Sequence, residues 1–153
     1  MPAMLDTVHT YFQTRNWPFI QSEALPIVQV EFTGAEQRWA VQIFCIEEQG
    51  QCVVYSLCPV RAPALRRPDV MDLLTRANCN LILGNFELDL ASGDIRFKTS
   101  LAVGDADLTS DLFERLLLAN VATMDRYLPG VMQVIYGAES PESVLMQIEQ
   151  PGN

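Results

Sequence analysis

The run Ile27-Val28-Gln29-Val30-Glu31-Phe32, then Thr33-Gly34-Ala35-Glu36, then Arg38-Trp39-Ala40-Val41-Gln42-Ile43-Phe44-Cys45-Ile46, decides the fold class. Its period is two. Val28, Val30 and Phe32 share one side while Gln29 and Glu31 take the other, the pattern of a half-buried strand. The short turn makes the two strands antiparallel neighbours. In the second strand Trp39, Val41, Ile43 and Cys45 lie on one side. Ala40, Gln42, Phe44 and Ile46 lie on the other, which is more apolar than a solvated face requires. After Glu48-Gln49-Gly50, residues Gln51 to Cys58 read as a third strand with Val53, Tyr55 and Leu57 alternating. That reading places Val54 beside Phe44 and Ile46.

Outward from this meander the period changes to that of helices. Leu5, Val8 and Phe12 mark a helix over residues 4–15, ended by Asn16-Trp17-Pro18 because the residue before proline leaves the helical region. Residues 18–26, with two prolines, read as a connection. Pro59 to Arg67 is a loop, and Pro68 opens a second helix whose stripe is Val70, Leu73, Leu74 and Ala77, ending near Asn78. Leu81-Ile82-Leu83, Gly84, and the alternation Phe86, Leu88, Leu90 begin a second hairpin. Ser92-Gly93-Asp94 turns it, and Ile95 to Val103 returns with Ile95, Phe97, Thr99 and Leu101 on one side. Gly84 within this pattern points to a bulge or a close backbone approach. A helix over Thr109 to Leu128 is expected to break at Pro129-Gly130. A shorter helical turn and a final helix capped by Ser140-Pro141-Glu142 follow. The order is α-β-β-β-α-β-β-α-α: an α+β chain with a single antiparallel five-stranded sheet flanked by helices, in one domain over 1–153.

The chain has 153 residues, 49% of them hydrophobic and 19% charged, which excludes wholesale disorder. Its formal net charge of -9 opposes a phosphate backbone, so no nucleic-acid partner is expected. No apolar stretch reaches the roughly twenty residues that span a bilayer. The N-terminus lacks a basic segment followed by an apolar run, so the expected location is the cytoplasm. Cys45, Cys52, Cys58 and Cys79 contain no C-x-x-C pair, and all four are read as reduced. Cys45 and Cys52 flank a hairpin turn and can face each other, depending on register.

Reactive chemistry is sparse. His9 is the single histidine, sits in the first helix, and reads as an ordinary helical side chain. Asp105-x-Asp107-x-Thr109-x-Asp111 copies the start of a calcium loop, but Ser110 and Leu116 stand where glycine and a bidentate glutamate belong. Its carboxylates are explained by the helix dipole. There is no G-x-x-x-x-G-K-[ST] loop and no G-x-G-x-x-G run. Neither cofactor nor metal is expected, and no catalytic set.

Arg76-Ala77-Asn78, Leu83-Gly84-Asn85-Phe86-Glu87-Leu88-Asp89, and Gly93-Asp94-Ile95-Arg96-Phe97-Lys98-Thr99-Ser100 resemble the signature of the YbjN-type family, a bacterial group described as sensory transduction regulators. Asn120, Asp125-Arg126-Tyr127-Leu128-Pro129 and Val134-Ile135-Tyr136-Gly137 are similar to its C-terminal helical part. The resemblance covers roughly residues 4–148. It implies a fold similar to type III secretion chaperones, commonly dimeric, and brings no catalytic residues with it.

The candidate interaction surface is therefore the apolar second side of the sheet, Ala40, Phe44, Ile46 and Val54, together with the basic cluster Arg61, Arg66 and Arg67. A contiguous apolar patch is seldom left bare on a monomer. Either the C-terminal helices wrap it or another chain does, and a self-complementary patch gives a two-fold dimer. The expected function is a non-enzymatic protein-interaction module, chaperone-like or regulatory, capturing a protein segment. The alternative is a regulatory module that binds a small apolar ligand in a pocket lined by residues such as Phe97, Leu117 and Met124.

Overall fold

The computed structural model describes residues 3–150. Helix α1 (Met4–Thr14) leads into β1 (Phe19–Gln21), β2 (Ile27–Thr33), β3 (Arg38–Ile46) and β4 (Gln51–Leu57). Helix α2 (Arg67–Asn80) precedes β5 (Asn85–Leu88) and β6 (Ile95–Ala102), and α3 (Ser110–Tyr136) and α4 (Pro141–Ile148) complete the order. The strands form one antiparallel sheet in the order β1-β2-β3-β4-β6-β5.

The sheet has six strands, not five. The extra one, β1, lies in the stretch expected to be a connection. Phe19, Ile20 and Gln21 pair with Val30, Gln29 and Val28. Three residues between Pro18 and Pro26 are too few to display an alternation, so only the pairing with β2 reveals the strand. His9 stacks on Phe19 with ring centroids 5.0 Å apart and bonds to Gln21 Oε1 at 2.6 Å, which ties α1 to this edge.

Helix α3 also departs from expectation. It runs unbroken through Pro129-Gly130 to Tyr136. An interior proline removes one backbone hydrogen bond and costs about 3 kcal/mol. Burial of Tyr127, Leu128, Val131, Val134 and Ile135 on both sides of it offsets that loss. Gly130 has a packing reason, since a Cβ there would stand 2.2 Å from Ile148 Cδ1. The backbone of α3 thus makes room for α4.

All the helices cover one face of the sheet, the side of Val28, Val30, Trp39, Val41, Ile43, Phe86 and Phe97, and a common core lies between. Polar links stitch the layers. Asn120 Nδ2 donates to Val54 O at 2.9 Å and Phe97 O at 3.1 Å, and Thr99 Oγ1 donates to Leu116 O. Trp39 Nε1 donates to the buried Ser56 Oγ at 2.9 Å. Glu47 accepts from the N–H groups of Met4 and Leu5, so a carboxylate from the β3–β4 turn closes the N-terminus of α1. Asn78 holds β5 against α2, accepting from Phe86 N–H at 2.7 Å and donating to Phe86 O. Leu81 to Gly84 is linker rather than strand. The close approach expected at Gly84 is present: its φ is 77° and a Cβ there would lie 2.5 Å from Lys98 O.

Candidate interaction surface

No described helix crosses the second face of the sheet, and register fixes what that face presents. One row across the strands reads Ile27, Phe44, Val53 and Ser100. The next reads Ile20, Gln29, Gln42, Tyr55, Lys98 and Asn85, and a third reads Glu31, Ala40, Arg96 and Glu87, with Leu57 opposite Arg96. Ile46 is 39% exposed and Ile20 is 70% exposed, while Ala40, Phe44, Val53, Tyr55 and Leu57 are half-buried by their own neighbours. Phe44 meets Tyr55 edge-on at 5.7 Å, and the Arg96 guanidinium lies 4.2 Å over the Tyr55 ring. A recess of about 390 Å³ opens on this side among Ile20, Gln29, Glu31 and Ala40.

Charge on this face is nearly balanced. Arg38 pairs with Glu31 at 3.1 Å, and Arg96 and Lys98 both pair with Glu87, at 2.6 and 3.0 Å. Partial burial alone would raise the Glu87 carboxyl, but the hydrogen bonds from Lys98 and Arg96 outweigh it and hold the group below the usual carboxylate range. The strongly acidic balance of the chain therefore lies elsewhere, on the helical side and the loops.

Ala40, Phe44 and Ile46 stand together on this face. Val54 does not. It is fully buried opposite Ile43 and Thr99, on the helix-covered side. Its place is taken by Val53, Tyr55 and Leu57, the alternating set of β4. The signal that places them correctly is the cysteine pair. Cys45 lies on the Trp39 side and pairs with Cys52, so Cys52, Val54 and Ser56 share that side by the period of two.

The basic cluster is not a single patch. Arg66 is turned inward, donating through Nε to Val134 O at 3.0 Å and through Nη2 to Gly137 O at 3.2 Å, where the last carbonyls of α3 lack helical partners. It also pairs with Asp69 at 3.1 Å. Arg67 donates to the carbonyls of Ala62, Leu90 and Ala91. Arg61 is exposed and pairs with Asp94 at 2.7 Å. All three arginines thus pair within the chain, and only Arg61 does so at an exposed position.

Other chemistry is placed as follows. Phe97, Leu117 and Met124 are fully buried in the common core. Thr109 accepts from Leu112 N–H as the cap of α3. Among the described residues, no group of three or more histidine, cysteine or acidic side chains is arranged to hold a metal ion. No described helix is long and apolar enough to cross a membrane.

The profile of the family named YbjN, described as "Putative bacterial sensory transduction regulator", matches residues 4–132. The chain belongs to the YbjN family. Among solved structures it is similar to the one titled "Crystal structure of YbjN, a putative transcription regulator from E. coli", with 13% identity and a TM-score of 0.62 over 86% of this chain and 88% of that one. It is similar to a chain of the ExsC–ExsE complex, with 13% identity and a TM-score of 0.60 over 84% and 96% of the two chains. A third similarity is to a chain of the HopA1–SchA chaperone–effector complex, with 11% identity and a TM-score of 0.54 over 81% and 91%. At these identities the likeness is one of fold. A search of the curated proteins gives no match. The YbjN-family chain is thus an α+β protein with a six-stranded antiparallel sheet, similar in fold to secretion chaperones.

Proposed function

We propose that this YbjN-family chain is a non-enzymatic protein-interaction module, chaperone-like or regulatory, that folds as one domain over 1–153 and works in the cytoplasm as a homodimer. The observation that carries the reading is the bare sheet face centred on Phe44, with Ala40 and Ile46 beside it. Its area suits a partner. Six strands about 4.8 Å apart and about six residues long on average cover roughly 600 Å², most of the roughly 800 Å² that each side of a standard interface buries. Its charge suits one too, because an acidic chain approaches another polypeptide at least cost through its nearly neutral side. The fold likeness to a chain of a chaperone–effector complex supports the same reading. Val53, Tyr55, Leu57 and Ile27 extend the surface, and Arg61 is the member of the basic cluster left at the periphery.

The test is sedimentation velocity and co-purification of the wild-type chain beside Phe44→Lys/Val53→Lys. The wild type is expected as a dimer or with a bound polypeptide, and the variant as a folded monomer that has lost it. A strictly monomeric wild type that recovers no partner overturns the proposal.

A further inference from the structure

Part of β6 has a neighbouring strand on one side only among the described residues. Cys58 N–H donates to Ile95 O and Val103 N–H donates to Gly50 O, so residues 95, 97, 99 and 101 carry the ladder to β4. The even-numbered residues turn their N–H and C=O groups to the other side. There β5 pairs only with residues 95–98, and the chain before Asn85 leaves the sheet at Gly84. The backbone groups of Ser100 and Ala102 therefore face outward with no strand partner among the described residues. An unpaired edge is a template for an added strand.

Beside this edge lies a recess of about 260 Å³ lined by Leu83, Thr99, Leu101, Leu112, Leu116 and Ala119. Leu112, Leu116 and Ala119 recur along one side of α3, and Leu83, 63% exposed, comes from the linker after α2. Thr99 and Leu101 flank Ser100 and belong to the helix-covered side of β6. A strand laid along Ser100 sends every second side chain to that same side, into the recess. The lining is mostly aliphatic, so it takes an aliphatic side chain.

Charge gives the added strand a direction. The C-terminal end of β6 leads into the loop carrying Asp105 and Asp107, and Asp111 follows in the first turn of α3. Arg115, which also borders the recess, is paired with Asp111 at 3.0 Å. A strand antiparallel to β6, like every other neighbour in this sheet, begins at that acidic end and finishes against Asn85.

We infer that the β6 edge captures an extended segment of a partner polypeptide, antiparallel to β6, with lysine or arginine at the segment's N-terminal side and valine, leucine or isoleucine seated in the recess. This rests on the protein-interaction role proposed above and adds to the bare sheet face a separate edge at which an extended segment of the partner is held.

The probes are three fluorescent ten-residue peptides that alternate serine and leucine: one with three lysines at the N-terminal end, one with them at the C-terminal end, and one with three aspartates at the N-terminal end. Binding is read by anisotropy at low salt. The first peptide is expected to bind at least tenfold more tightly than the others. Ser100→Pro removes only an outward N–H, so edge binding should fall about tenfold while the ladder to β4 stays whole. Leu83→Asp, on an exposed linker, should weaken binding similarly without touching the sheet. Equal binding of all three peptides, or no binding of any, overturns the inference. So does binding that survives both variants and is lost in Phe44→Lys, which assigns the segment to the sheet face and leaves the module reading intact. A dimer that Ser100→Pro dissociates, with no peptide bound, assigns the edge to a second copy of the chain and overturns it as well.

Discussion

Cys45 on β3 and Cys52 on β4 stand directly opposite one another on the helix-covered side of the sheet, both as free thiols with almost no exposure. The hydrogen bond between them and their burial push the Cys52 thiol far up from its ordinary range. Burial raises Cys58 to about 11, and Cys79 is exposed at the end of α2. Since the thiolate is the reactive form, a colorimetric thiol reagent at neutral pH should titrate one cysteine rapidly in the native chain and all four in denaturant. Cys79→Ser should abolish the rapid phase. Rapid reaction of three or four thiols without denaturant contradicts this packing.

Asn120 is the polar bolt between α3 and the sheet. Its Nδ2 reaches Val54 O, Phe97 O and Thr99 Oγ1, while its Oδ1 has no partner among the described residues. Asn120→Ala should lower stability by about 1–3 kcal/mol in urea unfolding. Asn120→Asp should cost more, because a buried carboxylate would face two carbonyl oxygens. An unchanged urea midpoint for Asn120→Asp would show that the side chain is solvated rather than bonded as described.

Gly130 and Ile148 make a size-matched pair across α3 and α4. A Cβ at position 130 would meet Ile148 Cδ1 at 2.2 Å and Val144 Cγ1 at 3.0 Å. Gly130→Ala should therefore destabilise the chain by about 1–3 kcal/mol despite the better helix propensity of alanine. Ile148→Val removes the clashing methyl and should recover part of that loss in the double variant. Additive losses in the two variants would show that the helices do not meet there.

Two tyrosines make stability depend on alkaline pH. Tyr11 donates to Glu114 at 2.8 Å and Tyr127 donates to Glu149 at 3.0 Å. Burial first, and then these carboxylates, raise each phenol from 10.0 to about 12. A raised pKa means that the folded chain holds the proton more tightly than the unfolded one. The contribution is fully present below pH 10 and is lost as pH rises toward 12. Denaturant titrations should show stability falling across that window, and Tyr11→Phe and Tyr127→Phe should each flatten the fall. Absorbance at 295 nm should lose a late-ionising phenol in each variant.

Much of the architecture was legible because it rests on period. Val28 and Val30, then Trp39, Val41 and Ile43, then Ile95 and Phe97 alternate into the core as their spacing requires. Three features were not legible, each for a physical reason. β1 is too short to show a period and exists through its pairing with β2. Pro129 is a strong local stop that tertiary burial overrides. On β4 the larger side chains Tyr55 and Leu57 face away from the helices, while Cys52, Val54 and Ser56 face them. Alternation alone does not say which set of β4 faces the helices, and the Cys45–Cys52 register decides it. Of the candidate residues, Ala40, Phe44 and Ile46 remain on the bare face. The arginines illustrate the reverse problem, since the role of Arg66 in closing the C-terminal end of α3 depends on contacts about seventy residues away in sequence.

The most direct measurement is site-specific photocrosslinking in living cells, with a benzophenone side chain in place of Phe44 on the bare face or of Leu118 on the exposed side of α3. A sheet face that receives another polypeptide should give a discrete higher-mass product from position 44 and none from position 118. No product at 44, or the same products from both positions, would contradict it.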